Sequence, residues 1–470
     1  MGIVIIGSGI CGLGAALLLA RDGHDVTVLE RDDADIPGAP LDAWEEWSRP
    51  GVAQFGQPHN FMPGMRHMLQ AELPDVYEAL ARAGAGRFDL LNPLPPTISG
   101  ATPHPIDDKL WTLTARRPVG EWVFADAARR EPRVTIRRGV QVSGLTTGAA
   151  ARTGIPHVTG VRTADGEELR ADLVVDASGR QSKAMQWLTA IGARPPIEEQ
   201  ADSGFIYYTR YFRGTVPQRR AGVLTPLGSV SLLTIPGDNN TWSVTIFASG
   251  GDQPLKELRH EPKWTKAVKA YPLHAHWLDG EPIHEGVRAM AGIVDRYRRF
   301  VVDGEPVVTG FVAVADAWAC TNPSAGRGLT VGLLHAQRLR DVARHVNDPV
   351  ALVEDFDTRT EAEMRPWYDA QLAVDRARFA EMTAIREGQP PPPVTDELAR
   401  GIRGLLATMI FDADLFRAAI ESISTITPVQ QILARPAIRE RMQAVRETLK
   451  NASPPPIPGP SRQQLLEIVA

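Results

Sequence analysis

The feature that most constrains this chain is a strand, turn and helix within its first 20 residues. Residues 3–6 form a continuous apolar run, and Gly7, Gly9 and Gly12 follow it at the GxGxxG spacing. Such a run is typical of a strand that is buried on both faces of a parallel sheet. Small and apolar residues then repeat with helical spacing over 13–20, so the sequence predicts a βαβ unit with a glycine-rich turn.

The three glycines and the acid that follows them predict a dinucleotide site rather than a purely structural turn. Gly7 allows the tight turn, Gly9 lets the backbone approach a pyrophosphate, and Gly12 lets the helix pack against the sheet. Glu30, with Arg31 beside it, falls about 20 residues further on, where an acid binds ribose hydroxyls. An acid here favours an unphosphorylated ribose, so FAD or NAD fits better than NADP.

Length and composition narrow the class of protein further. The 470 residues suffice for two or three packed units, and the net charge of -5 gives no reason to expect nucleic acid or anionic lipid as a partner. Cys11 and Cys320 lack the spacing of a metal or redox site, and no metal is expected. The chain starts directly with a strand and has no apolar run of about 18 residues, so we expect a cytoplasmic enzyme without a transmembrane segment.

The remaining sequence predicts further α/β structure followed by a helical end. Residues 33–64 are rich in proline, glycine and tryptophan and are expected to form a long ordered loop. Beyond Pro349 the chain is expected to be helical, with interruptions at the proline clusters 390–393 and 454–460. Helices are expected at 65–83 with a break at Pro74, at 118–130 and at 330–346, and strands at 134–136, 140–145, 157–163, 168–175 and 311–316.

Residues 204–248 alternate in the manner of antiparallel strands. Phe205, Tyr207, Thr209 and Tyr211 share one face of the first of these strands. Because ligand pockets are mostly apolar and aromatic, these four residues are candidates for lining a substrate pocket. The alternative interpretation is that the same face belongs to the core.

Three separated segments carry a family resemblance. They are GSGICG from Gly7, DLVVDASGR from Asp172 and VADAWACTNPSAGRGLT from Val314. In this order and spacing they resemble the FAD-dependent monooxygenases related to p-hydroxybenzoate hydroxylase, over residues 1–345. The resemblance adds FAD as the cofactor and a flavin site near the third segment.

The third segment implies several contacts with the flavin. By the resemblance, Asp316 contacts the FAD ribityl chain and Pro323 lies near the C4a side of the ring. Gly326 belongs to the glycine turn that opens the following helix, and the backbone at Gly328 and Leu329 would donate to the O2/N1 edge. A helix N-terminus at this place suits the negative charge of a reduced flavin.

Within this superfamily the chain looks closest to bacterial epoxidases of polyether biosynthesis, which are distantly related to squalene epoxidase. The stretches that carry this impression are residues 49–54 with His59 and Gly64, then Arg117, then VVDASGR, and finally residues 202–214. The resemblance implies that Arg49 and Arg117 lie near the FAD phosphates or ribityl chain, although both could be surface residues. It also implies that Val142 meets the adenine through its backbone. Independently of the resemblance, we interpret His59 as a satisfied loop histidine rather than a catalyst.

The resemblance implies an α/β fold in which a Rossmann-like FAD-binding domain carries an inserted antiparallel-sheet substrate domain and a helical C-terminal region. The FAD-binding domain is expected to be discontinuous, over residues 1–85, 106–185 and 295–346. Residues 86–105 and 186–294 are expected to form the substrate-binding sheet domain, and residues 347–470 the C-terminal helical region.

Two positions depart from the family pattern. Ala315 replaces the usual glycine before the motif aspartate, a change expected to preserve the turn if its φ is negative. Ser178 stands where many hydroxylases have an aspartate in a motif associated with both FAD and NAD(P)H. The electron donor is therefore expected to be NAD(P)H, acting either directly or through a flavin reductase partner.

The resemblance implies an FAD-dependent monooxygenase that uses a flavin C4a-hydroperoxide to epoxidise or hydroxylate a large apolar natural product, such as a polyketide or terpenoid. The partners are then O2 and a small-molecule substrate, and because the flavin is the reactive group, no side chain is assigned as catalytic. Flavin halogenases are disfavoured for two reasons. Their WxWxIP motif is missing, and their active-site lysine lies early in the flavin domain, whereas the first lysine of this chain is Lys109. An FAD-dependent reductase or dehydrogenase acting on a C=C bond and a non-catalytic FAD-binding protein stay open as alternatives.

Overall fold

A computed structural model of the chain describes residues 1–202, 204–450 and 458–470. Ser203, within the stretch 202–214, and most of the predicted proline cluster at 454–460 lie outside these residues. The strands are β1 (Gly2–Ile6), β2 (Asp25–Leu29), β3 (Gly86–Asp89), β4 (Trp111–Thr114), β5 (Val134–Arg137), β6 (Val142–Thr147), β7 (Val158–Thr163), β8 (Glu168–Arg170), β9 (Leu173–Asp176), β10 (Ile197–Asp202), β11 (Phe205–Arg213), β12 (Leu224–Leu227), β13 (Val230–Pro236), β14 (Thr241–Ser249), β15 (Glu281–Pro282), β16 (Arg288–Met290), β17 (Val294–Arg299), β18 (Val301–Val302), β19 (Glu305–Pro306), β20 (Phe311–Ala313) and β21 (Ala319–Cys320).

Helices follow the first strand, separate the sheets and dominate the C-terminal third of the chain. None of the helices in the described residues is long and apolar enough to cross a membrane. They are α1 (Ile10–Arg21), α2 (Pro63–Glu72), α3 (Pro74–Arg82), α4 (Arg117–Arg130), α5 (Ala184–Ala190), α6 (Glu261–Lys269), α7 (Gly328–Ala343), α8 (Pro349–Arg359), α9 (Arg365–Glu387), α10 (Glu397–Thr408), α11 (Ala413–Ile423), α12 (Val429–Ala434), α13 (Pro436–Leu449) and α14 (Arg462–Val469).

A five-stranded parallel sheet in the order β20-β9-β1-β2-β5 forms the centre of the N-terminal unit. Ile3 and Ile5 pack into one hydrophobic cluster together with α1, and Val4 and Ile6 pack into a second cluster on the other face. Both faces of β1 are thus buried, which explains its unbroken apolar sequence. The predicted Rossmann-like α/β fold class is confirmed, with antiparallel sheets and C-terminal helices added to this core.

A six-stranded antiparallel sheet lies outside this core, in the order β12-β13-β14-β11-β15 with β16 also paired to β11. One face carries Tyr208, Phe212 and Trp242, which pack against α6 and α14. The other face carries Phe205 and Tyr207, which pack against Phe247 and against Met382 of α9. Both faces are covered, and the second face also buries serine and threonine side chains, among them Thr209, Ser231 and Thr245.

Helix α9 contacts several parts of the molecule at once. Its first turns place Trp367 and Tyr368 in the cluster behind the parallel sheet. Ala370 packs with helices α10 to α13, and Met382 reaches the antiparallel sheet. The C-terminal helices therefore form part of the enclosure around the region between the two sheets.

Several predicted boundaries differ from the structure for identifiable reasons. The predicted strand 168–175 is two strands in different sheets, β8 and β9, because the Asp172 N–H leaves the β7 ladder and donates to the Gly2 carbonyl oxygen at 2.8 Å. The strand predicted at 140–145 starts only at Val142, since the Val140 N–H donates to the Glu30 carbonyl oxygen at 2.8 Å. The helix predicted from residue 330 begins at Gly328 and ends at Ala343, while the predicted break at Pro74 is confirmed.

Candidate functional site

A cavity of about 210 Å³ opens at the carboxyl edge of the parallel sheet, where Gly7, Glu30 and Ala177 follow three of its strands. This is the edge at which open α/β sheets bind ligands. Pro323 and all twelve residues that the sequence proposes for cofactor binding line it: Gly7, Gly9, Gly12, Glu30, Arg31, Arg49, Arg117, Val142, Asp316, Gly326, Gly328 and Leu329. The structure brings these residues together, and their contact with FAD stays a prediction.

The turn between β1 and α1 leaves no room for side chains at two of its three glycines. Gly7 has a φ of +105°, and a Cβ there would lie 2.7 Å from the Ala177 carbonyl oxygen. A Cβ on Gly12 would lie 2.1 Å from the Gly7 carbonyl oxygen. At Gly9 a Cβ would meet nothing closer than the Glu121 carboxylate at 3.9 Å, so protein packing does not require glycine there.

The N-terminus of α1 is open to the cavity. Gly9 is its N-cap, and among the described residues no side chain accepts a hydrogen bond from the first turn. Gly9, Ile10 and Gly12 all line the cavity. Free N–H groups and the positive end of the helix dipole together make an anion site, which fits a pyrophosphate.

Glu30 is held at the end of β2 by a dense set of donors. Its Oε2 accepts from the Ser8 N–H at 3.0 Å, the Ser8 hydroxyl at 2.6 Å and Arg49 Nη2 at 2.9 Å. Its Oε1 accepts from the Asp32 N–H at 3.0 Å, which leaves acceptor capacity on that oxygen. Burial opposes ionisation, but Arg49 and the N–H and hydroxyl donors outweigh it and hold the pKa of Glu30 below its usual value.

Arg49 is buried among three carboxylates rather than exposed. Besides Glu30 it pairs with Asp32 at 3.2 Å and with Glu121 at 3.3 Å. Burial lowers the pKa of Arg49, but the three acids reverse the effect and raise it. The surface alternative for Arg49 is therefore wrong, and its charge neutralises the acidic end of the cavity.

Arg117 reaches the cavity from the start of α4 and orients a histidine. Its Nε donates to Glu121 Oε1 at 3.0 Å, and its Nη1 donates to His59 Nε2 at 2.8 Å. His59 Nε2 must accept, so its proton sits on Nδ1 and is donated to the Gln57 carbonyl oxygen at 2.9 Å. Burial and Arg117 lower the pKa of His59 to about 3, so this satisfied histidine is neutral.

The third predicted segment forms the opposite wall of the cavity. Asp316 lines it, and in the described part of the chain no side chain pairs with its carboxylate; burial raises the pKa of Asp316 against the influence of Arg117 and Arg180. Helix α7 starts at Gly328, again without a side-chain cap. The cavity thus has a second open helix N-terminus and an acceptor without a partner.

Ala315 has a φ of +54°, so the condition under which the substitution was expected to preserve the turn, a negative φ, is not met. The turn is nevertheless kept, because the Trp318 N–H donates to the Ala315 carbonyl oxygen at 3.0 Å and the Ala315 N–H donates to His335 Nδ1 at 3.3 Å. Alanine here adopts the left-handed conformation that a glycine takes freely.

Ser178 lines the cavity, but its polar groups bond within the turn. Its N–H and its hydroxyl both donate to Asp176 Oδ1, at 2.9 and 2.5 Å, while the Ser182 hydroxyl donates to Asp176 Oδ2 at 2.5 Å. The Ser178 side chain therefore stabilises the turn after β9. Arg180 of the same turn lines the cavity, and its Nε is buried without a hydrogen-bond partner in the described structure.

The aromatic face of β11 lies beside the loop at 322–324 but does not line the cavity. The Tyr207 hydroxyl donates to Asn322 Oδ1, next to Pro323, and the Thr209 hydroxyl donates to Gln57 Oε1 at 3.2 Å. Tyr211 contacts Trp44 with ring centroids 4.8 Å apart, and Phe205 contacts Phe247 at 5.5 Å. All four residues are buried between the antiparallel sheet and its neighbours.

A second buried polar cluster joins the loop at 323–328 to helix α9. The Ser324 hydroxyl donates to Asp375 Oδ1 at 2.6 Å, and Gln371 Nε2 donates to Asp375 Oδ2 at 2.8 Å. Arg327 Nη2 donates to Gln371 Oε1 at 2.8 Å. We call these four residues, Ser324, Arg327, Gln371 and Asp375, the Asp375 cluster.

The cavity fits a flavin dinucleotide by the chemistry of its walls. Two open helix N-termini, at Gly9 and Gly328, suit a pyrophosphate and an anionic ring edge. The Asp316 carboxylate suits the hydroxyls of a ribityl chain, and Glu30 Oε1 suits those of a ribose. Arg180 Nε adds a buried donor without a partner.

Comparisons with known proteins agree with this site. Residues 2–96 match the family described as FAD dependent oxidoreductase. The Mycobacterium tuberculosis protein Rv3254 is 29% identical over 364 residues, which are 72% of each chain. PqsL of Pseudomonas aeruginosa, a probable FAD-dependent monooxygenase, is 15% identical with a TM-score of 0.57, over 82% of this chain and 97% of PqsL. The flavin-dependent brominase Bmp2 is 16% identical with a TM-score of 0.59, over 96% and 100% of the two chains.

The family match covers the N-terminal βαβ unit, whose glycine turn and Glu30 line a cavity that suits a flavin dinucleotide. At such identities the two solved structures establish the fold alone. The fold that the resemblance to the family of p-hydroxybenzoate hydroxylase implies is confirmed, since flavoproteins of this architecture cover most of the chain.

Sequence reasoning missed several residues at or near the site. The donors Arg180 and Arg327 lie inside motifs that were recognised for their glycines, so their positions could have been noted. Nothing in the sequence around Gln371 or Asp375 distinguishes them from other polar positions of a long helix. Their approach to the loop depends on how α9 packs across the molecule.

Proposed function

We propose that this chain is an FAD-dependent monooxygenase that transfers one oxygen atom from O2 to a large apolar natural product, such as a polyketide or terpenoid, as an epoxide or a hydroxyl group. The observation that carries the proposal is the single cavity lined by all twelve predicted cofactor residues, with Pro323 between it and the aromatic face of β11. The other oxygen atom leaves as water, and NAD(P)H supplies the two electrons. Bound FAD supplies the activation of oxygen.

In this proposal the protein binds, orients and shields the cofactor. The N–H groups at Gly9 receive the pyrophosphate, Glu30 and Arg31 the adenosine ribose, and the Val142 backbone the adenine. Arg49 and Arg117 pair with Glu30 and Glu121 and hold these acids in position. Asp316 receives ribityl hydroxyls, while Gly326, Gly328 and Leu329 present backbone to the flavin.

The substrate site is proposed between the loop at 322–324 and the antiparallel sheet. Phe205, Tyr207, Thr209 and Tyr211 are buried here, and in this proposal an apolar substrate takes the place of part of their packing and excludes water from the reacting atoms. We accordingly propose the same domain division as before: 1–85, 106–185 and 295–346 for FAD, 86–105 and 186–294 for substrate, and 347–470 as a helical region.

The electron donor is proposed to be NAD(P)H, either directly or through a separate flavin reductase. The turn of Ser178 toward Asp176 favours the reductase route, because this side chain is engaged within the protein. Anaerobic mixing of the purified protein with NADPH and with NADH distinguishes the two routes: direct use bleaches the flavin absorbance, and a reductase requirement leaves it unchanged.

The decisive test measures O2 consumption and product mass together, with electrons supplied by NAD(P)H and an added flavin reductase. A panel of polyketides and terpenoids should yield a product that has gained one oxygen atom. A product that has gained two hydrogen atoms without O2 uptake would support a C=C reductase instead. Bound FAD with neither reaction would support a non-catalytic flavoprotein.

A further inference from the structure

The Asp375 cluster contains a buried carboxyl group, Asp375, that is hydrogen-bonded to the loop lining the cavity. Ser324 lies between Pro323 and Gly326, which both line the cavity, and it donates to a carboxylate that is only 1% exposed. Gln371 Nε2 also donates to the Ser324 oxygen at 2.8 Å. The hydrogen bonds therefore run from α9 to the loop without a gap.

The surroundings of Asp375 contain no direct ion pair in the described structure, unlike most buried acids. Burial raises the pKa of Asp375 to about 7, although the Ser324 and Gln371 donors lower it. Asp295 of β17 raises this pKa further, and Arg327 of the loop lowers it. The Tyr207 hydroxyl of β11 also faces the group, and Asp375 raises the pKa of Tyr207.

We propose that Asp375 is a positioning residue that gains and loses a proton behind the flavin-binding loop, and so makes reduction of bound flavin depend on pH. The inference rests on the proposed function only in requiring bound FAD. In its ionised form Asp375 accepts the hydrogen bond of the Ser324 hydroxyl and places a negative charge behind the loop. In its protonated form that charge is gone, and its own O–H can donate to Ser324 or to a neighbouring acceptor.

The sign of the effect follows from charge repulsion. Reduction adds negative charge near the loop, which an ionised Asp375 disfavours and a neutral one does not. Between the pKa of Asp375 with oxidised flavin and its higher pKa with reduced flavin, reduction is therefore accompanied by uptake of up to one further proton from solvent by Asp375. By linkage, uptake of one full additional proton makes the reduction equilibrium constant change by up to about tenfold more for each pH unit. Below the pKa of Asp375 this additional pH dependence disappears, because the group is already protonated.

The test is the two-electron reduction potential of the FAD-loaded protein, measured anaerobically with dithionite and indicator dyes from about pH 5.5 to about pH 8.5. We expect Asp375→Asn to match the wild type at the acidic end and to become more positive than the wild type at the basic end. The additional slope should be absent from this variant. Identical pH profiles for the two proteins would overturn the inference.

Ser324→Ala gives a second, independent measurement. Loss of the hydroxyl donor disfavours ionised Asp375, so the break in the pH profile should move to higher pH. A break that stays in place would count against the inference, and this holds even if Asp375→Asn does not fold. Asp369→Asn on the same helix, at a half-exposed acid that pairs with Arg365 at 2.8 Å, is the matched control and should follow the wild type.

The outcome is separable from that of the proposed function. The potential requires neither substrate nor O2, so a pH break without oxygen transfer would refute the monooxygenase and leave the Asp375 inference standing. Oxygen transfer without a break in the pH profile of the reduction potential would support the monooxygenase and refute the Asp375 inference. A chain that binds no FAD would refute both.

Discussion

Glu30 and Asp375 are carboxyl groups buried on opposite sides of one cavity, and their surroundings affect them in opposite ways. Glu30 has Arg49 at 2.9 Å and several N–H and O–H donors, which lower its pKa despite burial. Asp375 has a hydroxyl and an amide as direct partners, so burial prevails and its pKa rises to about 7. Depth alone therefore does not decide the charge of a buried acid; a touching cation does.

The difference matches the proposed roles of the two sides. A constant negative charge on Glu30 is useful for binding hydroxyls, and its cost is offset by Arg49. A group with a pKa near neutrality can change charge under physiological conditions, which suits the side proposed to hold the flavin ring.

The largest expected effect disrupts the cavity that Glu30 lines and that Asp375 approaches through Ser324. Gly12→Ala places a Cβ 2.1 Å from the Gly7 carbonyl oxygen, which forces the turn or α1 to move. We expect loss of bound FAD, measured as the flavin-to-protein absorbance ratio after purification. Gly144→Ala, where a Cβ would meet nothing within 4 Å, should retain FAD, and full FAD content in Gly12→Ala would contradict the site.

The second prediction removes the Arg49 guanidinium, so that Glu30, like Asp375, has no direct ion pair. Arg49→Ala leaves Glu30, Asp32 and Glu121 without their shared partner, and breaking a buried pair costs about 3–5 kcal/mol. Urea unfolding monitored by tryptophan fluorescence measures this loss. Arg82→Ala, which breaks an exposed pair with Glu78, should cost less than about 1 kcal/mol.

The third prediction uses pH to separate the two acids. The folded pKa of Asp375 is raised to about 7 from 3.8, so its contribution to stability is complete below about pH 4 and is lost as pH rises through 7. Between pH 5 and pH 7 the loss is about 2–3 kcal/mol relative to Asp375→Asn. Glu30 has a lowered pKa, so its contribution is present above its ordinary pKa and is lost as pH falls.

Unfolding free energies of the wild type and Asp375→Asn at a series of pH values check this sign. If the difference between them does not change from pH 5 to pH 7, Asp375 does not titrate in this range. Asp369→Asn again serves as the control on the same helix.

The smallest expected effect changes the backbone at the cavity without changing any charge. Ala315→Gly relieves a left-handed alanine, worth about 1–2 kcal/mol, but adds unfolded-state entropy of up to about 1 kcal/mol. The net gain should be below about 1 kcal/mol, seen as a slightly higher Tm. Both carboxyl titrations should stay unchanged, and a lower Tm would show that the alanine methyl group contributes packing that outweighs the strain.

Sequence patterns predicted the parts of the molecule that depend on local spacing. The glycines at 7, 9 and 12 and the acid at 30 are close in sequence, and the motif from 314 to 330 was recognisable by itself. The resemblance also predicted that Arg49 and Arg117 reach the cofactor region, where the structure places both at the cavity.

The rest depends on contacts that no local pattern records. Two of the acids around Arg49 follow β2 and the third lies in α4, while Asp375 meets Ser324 across 51 positions of sequence. The positive φ of Ala315 was equally hidden, because the hydrogen bond to His335 that holds it comes from a helix 20 residues later.

The strand order of the parallel sheet has a consequence for how the protein forms. Strand β20, from Phe311–Ala313, completes the sheet beside β9, and the cavity also needs Leu329. The glycine turn is therefore synthesised first. More than half of the chain must follow before β20 and Leu329, which complete the sheet and the cavity, are synthesised. Contacts of such sequence separation make folding slow, and the waiting strand edges are exposed to aggregation. Flavin supplied during expression should increase the yield of soluble protein by trapping the completed sheet.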